Sequence, residues 1–378
     1  MVTPFTANIS QDILDDLKLR IKNTRFPDEI IDSEWKYGAA LSYIKELADY
    51  WQNDFDWRNI EKEINSYPNF FAEIDGYKIH FLHIKGKGKK SIPLIMTHGW
   101  PGSFLEMMKV IPLLTNNSEI SFDLVIPSML GYGFSQKINL PGCNSSLMCE
   151  LWFKLMQELG YEKFGAQGGD FGASISTKLA LKYPSNITGL HLNYIPGSYK
   201  PYLMEDENLT PEEIIFEKDA DNWSLSEGAY RLQQATKPLT LAYGLNDSPI
   251  GLCSWIIEKY HGWADCNENI ESIFKKDELL ANITLYWVTE TIHSSIRLYS
   301  ENAKIPMHFT KDEYVKIPVG ISRFPKEEPF PPRRYIKRGF NIQHWTEMPA
   351  GGHFASMEQP ELLANDIVTF FRKIIPKD

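Results

Sequence analysis

The sequence predicts an α/β fold in which a mostly parallel central sheet carries helices on both faces. Between residues 92 and 195, short apolar runs alternate with segments of helical periodicity, which is the pattern of repeated strand–helix units. The alternation then stops for a long, largely helical stretch and resumes near residue 316. A helical block is therefore inserted between strands of one sheet.

The N-terminal part of the chain is helical and polar. Residues 8–66 hold three helical patterns: the first stops at Pro27, and the others cover about residues 37–50 and 57–65. From residue 70 the period shortens to two. Asp75-Gly76 separates two alternating runs there, which predicts a β-hairpin.

The alternating region supplies the rest of the sheet. We predict strands at residues 92–100, 122–128, 163–169, 189–195, 316–324 and 340–349. We predict helices at residues 103–114, 146–160, 172–184 and 360–375. These elements divide the chain into an N-terminal meander (1–68), a core (69–196 and 305–378) and a helical cap or lid (197–304).

Composition excludes several classes of function. The net charge of −10 argues against a nucleic-acid partner, which requires clustered basic residues. The four cysteines form no CxxC pair, and no His/Cys/Asp cluster has the spacing of metal ligands. The N-terminus lacks the features of a signal peptide, and no run of 18 apolar residues occurs. We expect a soluble, cytoplasmic protein without a transmembrane anchor or a metal.

One aspartate stands among glycines in the run GGDFG, residues 168–172, between a predicted strand and a predicted helix. The run matches the nucleophile elbow of α/β-hydrolases, a sharp turn that lifts one side chain above the sheet. Glycines suit such a turn because strand and helix approach too closely for a Cβ atom. Asp170 is therefore a candidate nucleophile on an α/β-hydrolase fold. The alternative is that Asp170 only caps the helix.

A carboxylate nucleophile would attack an electrophilic carbon and form an alkyl ester, which an activated water must then hydrolyse. His353 follows the last predicted strand on a Gly-Gly loop, where an α/β-hydrolase carries its base. The acid that orients it belongs after the preceding strand, where Glu327 and Glu328 both occur. An exposed loop histidine and two solvated glutamates are the alternatives.

The motif THGWPGSF, residues 97–104, directly follows the predicted strand that ends near residue 96. An oxyanion hole needs one backbone N–H from this loop and one from the residue after the nucleophile. The expected donors are Trp100 and Phe171. We expect His98 to be a buried hydrogen-bonding residue and not a catalyst.

These motifs together resemble the microsomal-type epoxide hydrolases, which include insect juvenile-hormone epoxide hydrolases and soluble fungal members. The resemblance rests on HGWPGSF, GGDFG, SSIRLYSENA, GISRFPKE and GGHFASMEQPE, and the N-terminal region matches as well. It implies that two cap tyrosines donate a proton to the epoxide oxygen. By motif these are Tyr299, a close match, and Tyr230, a looser one. The motif match also selects Glu327 over Glu328.

The resemblance implies an enzyme of xenobiotic or lipid epoxide metabolism that converts a small apolar epoxide to a vicinal diol, with no cofactor. A haloalkane-dehalogenase-like hydrolase shares the aspartate nucleophile, and a catalytically silent ligand-binding relative would share the fold. The mammalian and insect members carry an N-terminal membrane anchor, whereas we expect this chain to be a soluble member of the family. The physiological epoxide and the oligomeric state stay open, with a homodimer among the states allowed.

Overall fold

A nine-stranded sheet forms the centre of the computed structural model, which describes residues 1–375. The strand order is β1-β2-β3-β5-β4-β6-β7-β8-β9; the pairs from β1 to β3 and the β3–β5 pair are antiparallel, and all others are parallel. The strands are β1 Val2–Pro4, β2 Asn69–Ile74, β3 Tyr77–Ile84, β4 Lys90–Thr97, β5 Ile120–Pro127, β6 Phe164–Gly168, β7 Ile187–Leu192, β8 Val315–Arg323 and β9 Phe340–Glu347. Each strand predicted for the alternating region is present.

Helices cover the sheet and fill the insertion. Those of the described chain are α1 Gln11–Lys22, α2 Leu41–Asn53, α3 Trp57–Asn65, α4 Ile111–Thr115, α5 Ser145–Glu158, α6 Asp170–Lys182, α7 Pro211–Ser226, α8 Ala229–Thr236, α9 Pro238–Asp247, α10 Pro249–Trp263, α11 Lys276–Val288, α12 Ile292–Asn302, α13 Arg333–Lys337, α14 Ala355–Glu358 and α15 Pro360–Ile374. We call α7–α12 the cap. The domain boundaries themselves stay a prediction.

The predicted hairpin is confirmed, since Ile74 pairs with Tyr77 and both Asp75 and Gly76 have positive φ. β1 was not predicted from the sequence. It is three residues long and pairs with β2 at the edge of the sheet, so the N-terminus is part of the sheet.

The single helix predicted over residues 103–114 is wrong. A 3-10 turn, Phe104–Met107, is followed by the short helix α4. The Ser103 hydroxyl accepts the Leu105 N–H at 3.3 Å, which starts the turn. Pro112 lies in the first turn of α4, where its missing N–H costs no helical hydrogen bond. The sequence therefore forms two short segments.

The N-terminal helices support the cap. The Trp51 indole N–H on α2 donates to the Thr284 hydroxyl on α11 at 2.9 Å in a buried contact. The Tyr50 hydroxyl on the same helix donates to the Asp277 carboxylate at 3.0 Å. Because α2 and α11 are joined by these bonds, the N-terminal segment and the cap form one packed layer.

A buried carboxylate on α15 joins three strands. Asp366 accepts hydrogen bonds from Ser322 on β8 at 2.6 Å and from Thr346 on β9 at 2.5 Å. The rings of His191 on β7 and His344 on β9 lie at 3.0 and 2.7 Å from the carboxylate. We call these five residues the α15 clamp. Loops that follow β8 and β9 carry Glu327 and His353, so the clamp fixes the strands beneath both.

We expect Asp366→Asn to destabilise the protein by about 2 kcal/mol, because the amide would place a donor against donors in a buried site. Hydrogen bonds from His191 and His344 overcome burial and lower the pKa of Asp366. The clamp's contribution is therefore present above the unfolded-state pKa and is lost as the pH falls toward the folded one. Urea-unfolding midpoints at several pH values measure this, with exposed Asp312→Asn as the control. Equal unfolding midpoints for wild type and Asp366→Asn would contradict a stabilising role of the α15 clamp.

Candidate active site

Asp170 projects from a sharp turn between β6 and α6. Its φ is +45°, in the left-handed region that non-glycine residues rarely adopt. A Cβ atom added to Gly172 would lie 1.9 Å from the Thr97 carbonyl oxygen, and one added to Gly168 would lie 2.3 Å from the Gly172 backbone. The helix N-cap is Gly169. The alternative in which Asp170 only caps the helix is therefore wrong.

Two backbone N–H groups bind the Asp170 carboxylate. The Trp100 N–H donates to Oδ1 at 2.9 Å, and the Phe171 N–H also donates to this carboxylate. Trp100 lies on the loop after β4, where its peptide bond to Pro101 is cis. The second oxygen, Oδ2, points toward His353. One oxygen is thus held by the backbone, while the other faces the imidazole.

His353 stands between two carboxylates. Its Nδ1 lies 2.8 Å from Glu327 Oε2, and its Nε2 lies 3.8 Å from Asp170 Oδ2. Glu328 instead pairs with Arg323 at 3.1 Å and accepts the Phe330 N–H at 3.1 Å. Of the two adjacent glutamates, only Glu327 contacts the imidazole.

The loop that carries His353 is fixed by hydrogen bonds. Glu358 accepts the N–H groups of Gly352 at 2.9 Å and Phe354 at 2.8 Å. The His353 N–H donates to the Trp263 carbonyl at the end of α10, at 3.0 Å. The imidazole position therefore depends both on the core and on the cap.

Burial and charge set the protonation of this site. Burial raises the pKa of Asp170, although the nearby His353 and the two N–H donors oppose that effect. Burial lowers the pKa of His353, but the charge of Glu327, and then that of Asp170, outweigh it and raise the pKa to about 9. With this raised pKa, His353 is a cation at neutral pH.

The two cap tyrosines lie close to Asp170. The Tyr230 ring on α8 stacks on Trp100 with centroids 5.6 Å apart, and the Tyr299 ring on α12 meets Trp100 edge-on at 5.6 Å. The two tyrosine rings are 5.8 Å apart. Burial raises the pKa of both phenols, so both are neutral donors. The structure thus brings together all seven site residues predicted from the sequence.

His98 is buried and hydrogen-bonded, as predicted. Its Nε2 accepts the Met129 N–H at 3.2 Å, and its Nδ1 lies 3.1 Å from the Gly99 carbonyl. Burial lowers its pKa to about 4, so it is neutral at physiological pH.

Glu106 is a site residue that the sequence analysis missed. It lines a cavity of about 20 Å³ together with Asp170 and His353, enough space for one water molecule. Burial raises the pKa of Glu106 to about 8. A Cβ atom at Gly102 would lie 1.1 Å from Glu106 Oε1, so the glycine leaves room for the carboxylate. One charged residue within the apolar run SFLEMM was the available signal.

Two larger cavities meet at Asp170, with volumes of about 320 and 140 Å³. Asp170, Tyr194 and Tyr230 line both of them. Tyr194 was also not predicted, and its ring lies 5.9 Å from that of His353. A ligand at Asp170 therefore has space on two sides.

Residues 1–375 contain no candidate metal site, no disulfide and no helix suited to span a membrane. No group of three His, Cys, Asp or Glu side chains there could hold a metal ion. The four cysteines, all within this range, are free thiols. No helix of the described chain combines the length and the apolar character that a membrane span requires.

Two known protein families match overlapping parts of this chain. Residues 2–107 match the family described as "Epoxide hydrolase N terminus", and residues 92–224 match the family described as "alpha/beta hydrolase fold". The predicted fold class is confirmed by these matches.

Full-length relatives extend the comparison. Epoxide hydrolase 1 of Sus scrofa is 37% identical over 400 residues, which cover 98% of this chain and 88% of that protein. The Aspergillus niger epoxide hydrolase structure superposes with a TM-score of 0.87 at 29% identity, over 99% of this chain and 97% of that one. The juvenile hormone epoxide hydrolase of Bombyx mori gives 0.86 at 30% identity, over 99% and 94%. The chain therefore belongs to the epoxide hydrolase family and has the α/β-hydrolase fold.

Proposed function

We propose that this protein hydrolyses an apolar epoxide to a vicinal diol through a covalent ester on Asp170. The observation that carries the proposal is the environment of the carboxylate. Backbone N–H groups hold Asp170 Oδ1, while Oδ2 faces the His353–Glu327 pair. Such an arrangement supports a nucleophile whose ester can be hydrolysed in place.

In the first step, Asp170 Oδ2 attacks one ring carbon, and the bond from that carbon to the epoxide oxygen breaks. The electron pair moves to the oxygen, which takes a proton from Tyr230 or Tyr299. A neutral phenol suits this step because its raised pKa keeps the proton available until the alkoxide forms. The tyrosinate then takes the proton of the His353 cation. This leaves a hydroxyalkyl ester of Asp170, a neutral phenol and a neutral imidazole.

In the second step, neutral His353 takes a proton from water, and the resulting hydroxide attacks Asp170 Cγ. The Trp100 and Phe171 N–H groups stabilise the oxyanion, since one already binds Oδ1. The tetrahedral species expels the diol oxygen, which takes the proton from His353. The new carboxylic acid gives its proton to His353, which restores the Asp170 carboxylate and the imidazolium of the free enzyme. The cavity beside Glu106 is a suitable place for the attacking water.

Ester formation itself prepares His353 to act as a base. In the free enzyme the charge of Asp170 helps to raise the pKa of the imidazole to about 9. Esterification removes that charge, while the burial that lowers the pKa remains. Esterification therefore favours the neutral imidazole, the form that can accept a proton, only after the nucleophile has reacted.

Two rivals share parts of this site. A dehalogenase would also use Asp170, and a silent relative would bind epoxides without releasing diol. The phenol pair above the nucleophile favours an epoxide over a halide, because a ring oxygen needs a proton and a leaving halide does not. A cytoplasmic location and a homodimer stay predictions from the sequence.

A single turnover in heavy-oxygen water tests the covalent step. With enzyme in excess, we expect the label in the Asp170 carboxylate and none in the diol, because both diol oxygens come from the epoxide and from Asp170 Oδ2. Mass spectrometry of the diol and of the peptide that contains Asp170 measures this. Enzyme incubated without substrate is the control for exchange. Label in the diol after one turnover would exclude the ester.

The double variant Tyr230→Phe/Tyr299→Phe should lose at least about 100-fold in kcat/KM for epoxides, because no proton donor remains. Each single variant should lose less. The exposed Tyr243→Phe is the matched control, since Tyr243 is 74% exposed on α9. If the wild type hydrolysed no epoxide and the double variant still turned over haloalkanes, the dehalogenase function would be favoured.

Glu106→Gln should slow ester hydrolysis about tenfold or more and leave formation of the ester nearly unchanged. Hydrolysis should speed up with rising pH as His353 loses its proton. The charge of Glu106 raises the pKa of His353, so the variant's midpoint should move to lower pH. Stopped-flow measurements separate the two steps, with exposed Glu63→Gln as the control. If Glu106→Gln changed neither the rate of ester hydrolysis nor the midpoint of its pH dependence, Glu106 would have no part in the mechanism.

A further inference from the structure

The larger cavity at the nucleophile follows one face of α6. Asp170, Ser174 and Lys178 all line it, at intervals of four residues. Residues at this spacing lie on the same side of a helix. Because an α-helix rises 1.5 Å per residue, Lys178 is about 12 Å along the helix axis from Asp170. The cavity therefore joins the nucleophile at one end to a cation at the other.

Lys178 forms no ion pair within the described chain, although it is half-buried. Lys182, one turn further along the same helix, pairs with Glu150. Burial lowers the pKa of Lys178, and the Glu313 carboxylate opposes this without forming an ion pair with it. An ammonium group that loses hydration without gaining a partner is unfavourable unless a ligand supplies the counter-charge.

A second cation that forms no ion pair also lines this cavity. Arg231 on α8 donates one N–H to the Ser224 hydroxyl at 2.7 Å and forms no ion pair with any residue from 1 to 375. Apart from the nucleophile, Lys178 and Arg231 are the charged residues of this wall. The whole chain carries a net charge of −10, so two cations without counter-ions mark this cavity as a place for negative charge.

The neutral polar groups of the cavity are also donors. Asn302 lines it, and its Oδ1 accepts the N–H and the hydroxyl of Ser145 at 2.9 and 2.8 Å. The Asn302 amide nitrogen is buried and has no partner among the described residues. The rest of the wall includes the apolar side chains of Ala235, Ile305 and Met307. This combination suits an alkyl chain that ends in a group with acceptors only.

We propose that the substrate is an epoxide whose apolar chain ends in a carboxylate, which Lys178 binds at the far end of this cavity. The proposal rests on the proposed function and names its substrate class. A single carboxylate matches one ammonium group. The smaller cavity, lined by Phe216 and Trp223, takes the other substituent of the ring. The preferred substrate thus carries substituents on both epoxide carbons, as in the epoxide of a long unsaturated fatty acid.

The test compares the epoxide of oleic acid with the epoxide of methyl oleate, in which a methyl ester replaces the terminal carboxylate. Wild type should prefer the acid by about tenfold in kcat/KM, mainly through KM. Lys178→Met should abolish the preference, and Lys178→Arg should retain most of it. The acid-to-ester ratio does not depend on how much of a variant is folded. Lys182→Met, on the same helix, is the matched control and should keep the wild-type ratio.

The outcomes separate this inference from the proposed function. Hydrolysis of both substrates by wild type at equal kcat/KM would overturn the carboxylate site and leave the epoxide hydrolase function intact. A preference for the acid that survives in Lys178→Met would also overturn it. If wild type hydrolysed neither of these substrates nor the small epoxide styrene oxide, both the proposed function and the inference would be overturned.

Discussion

The structure depends on the close approach of two backbones, the loop after β4 and the turn between β6 and α6. A side chain at Gly172 would place its Cβ 1.9 Å from the Thr97 carbonyl, and one at Gly99 would lie 2.3 Å from the Asp170 Cβ. At this distance the Trp100 N–H reaches Asp170 Oδ1. β4 and β6 are parallel neighbours, so their carboxyl ends meet at one edge of the sheet. The turn at Asp170 and the N–H groups that bind its carboxylate thus belong to one packing arrangement.

Charge is concentrated around this arrangement. Asp170, Glu327 and Glu106 surround one imidazole, and each carboxylate raises the pKa of His353 while burial lowers it. A cluster of this kind changes its protonation when one member is neutralised, since the members interact at short range in a dry site. The chemistry proposed for Asp170 is such a neutralisation. The site therefore couples the state of the nucleophile to the state of the base without any movement of the chain.

Elements that are distant in sequence hold the other groups. The α15 clamp joins β7, β8 and β9 below the loops that carry Glu327 and His353. The Trp51–Thr284 bond ties α2 to α11, and so the N-terminal segment holds the cap that carries Tyr230 and Tyr299. The Trp100 ring contacts both tyrosines. Core, cap and N-terminal segment all contribute to the geometry at one carboxylate.

The sequence alone predicts the strand and helix pattern of the sheet, the elbow with Asp170 and the position of His353, because these depend on local periodicity and on glycines at a turn. The residue types and spacing could not show whether Glu327 or Glu328 contacts His353. That choice depends on the direction in which each side chain points from the folded loop. The same limit applies to Glu106, Tyr194 and Lys178. Their roles follow from which cavity each side chain lines, and cavities form between elements that are far apart in the chain. Tertiary packing decided these, along with the break in the helix predicted at residues 103–114.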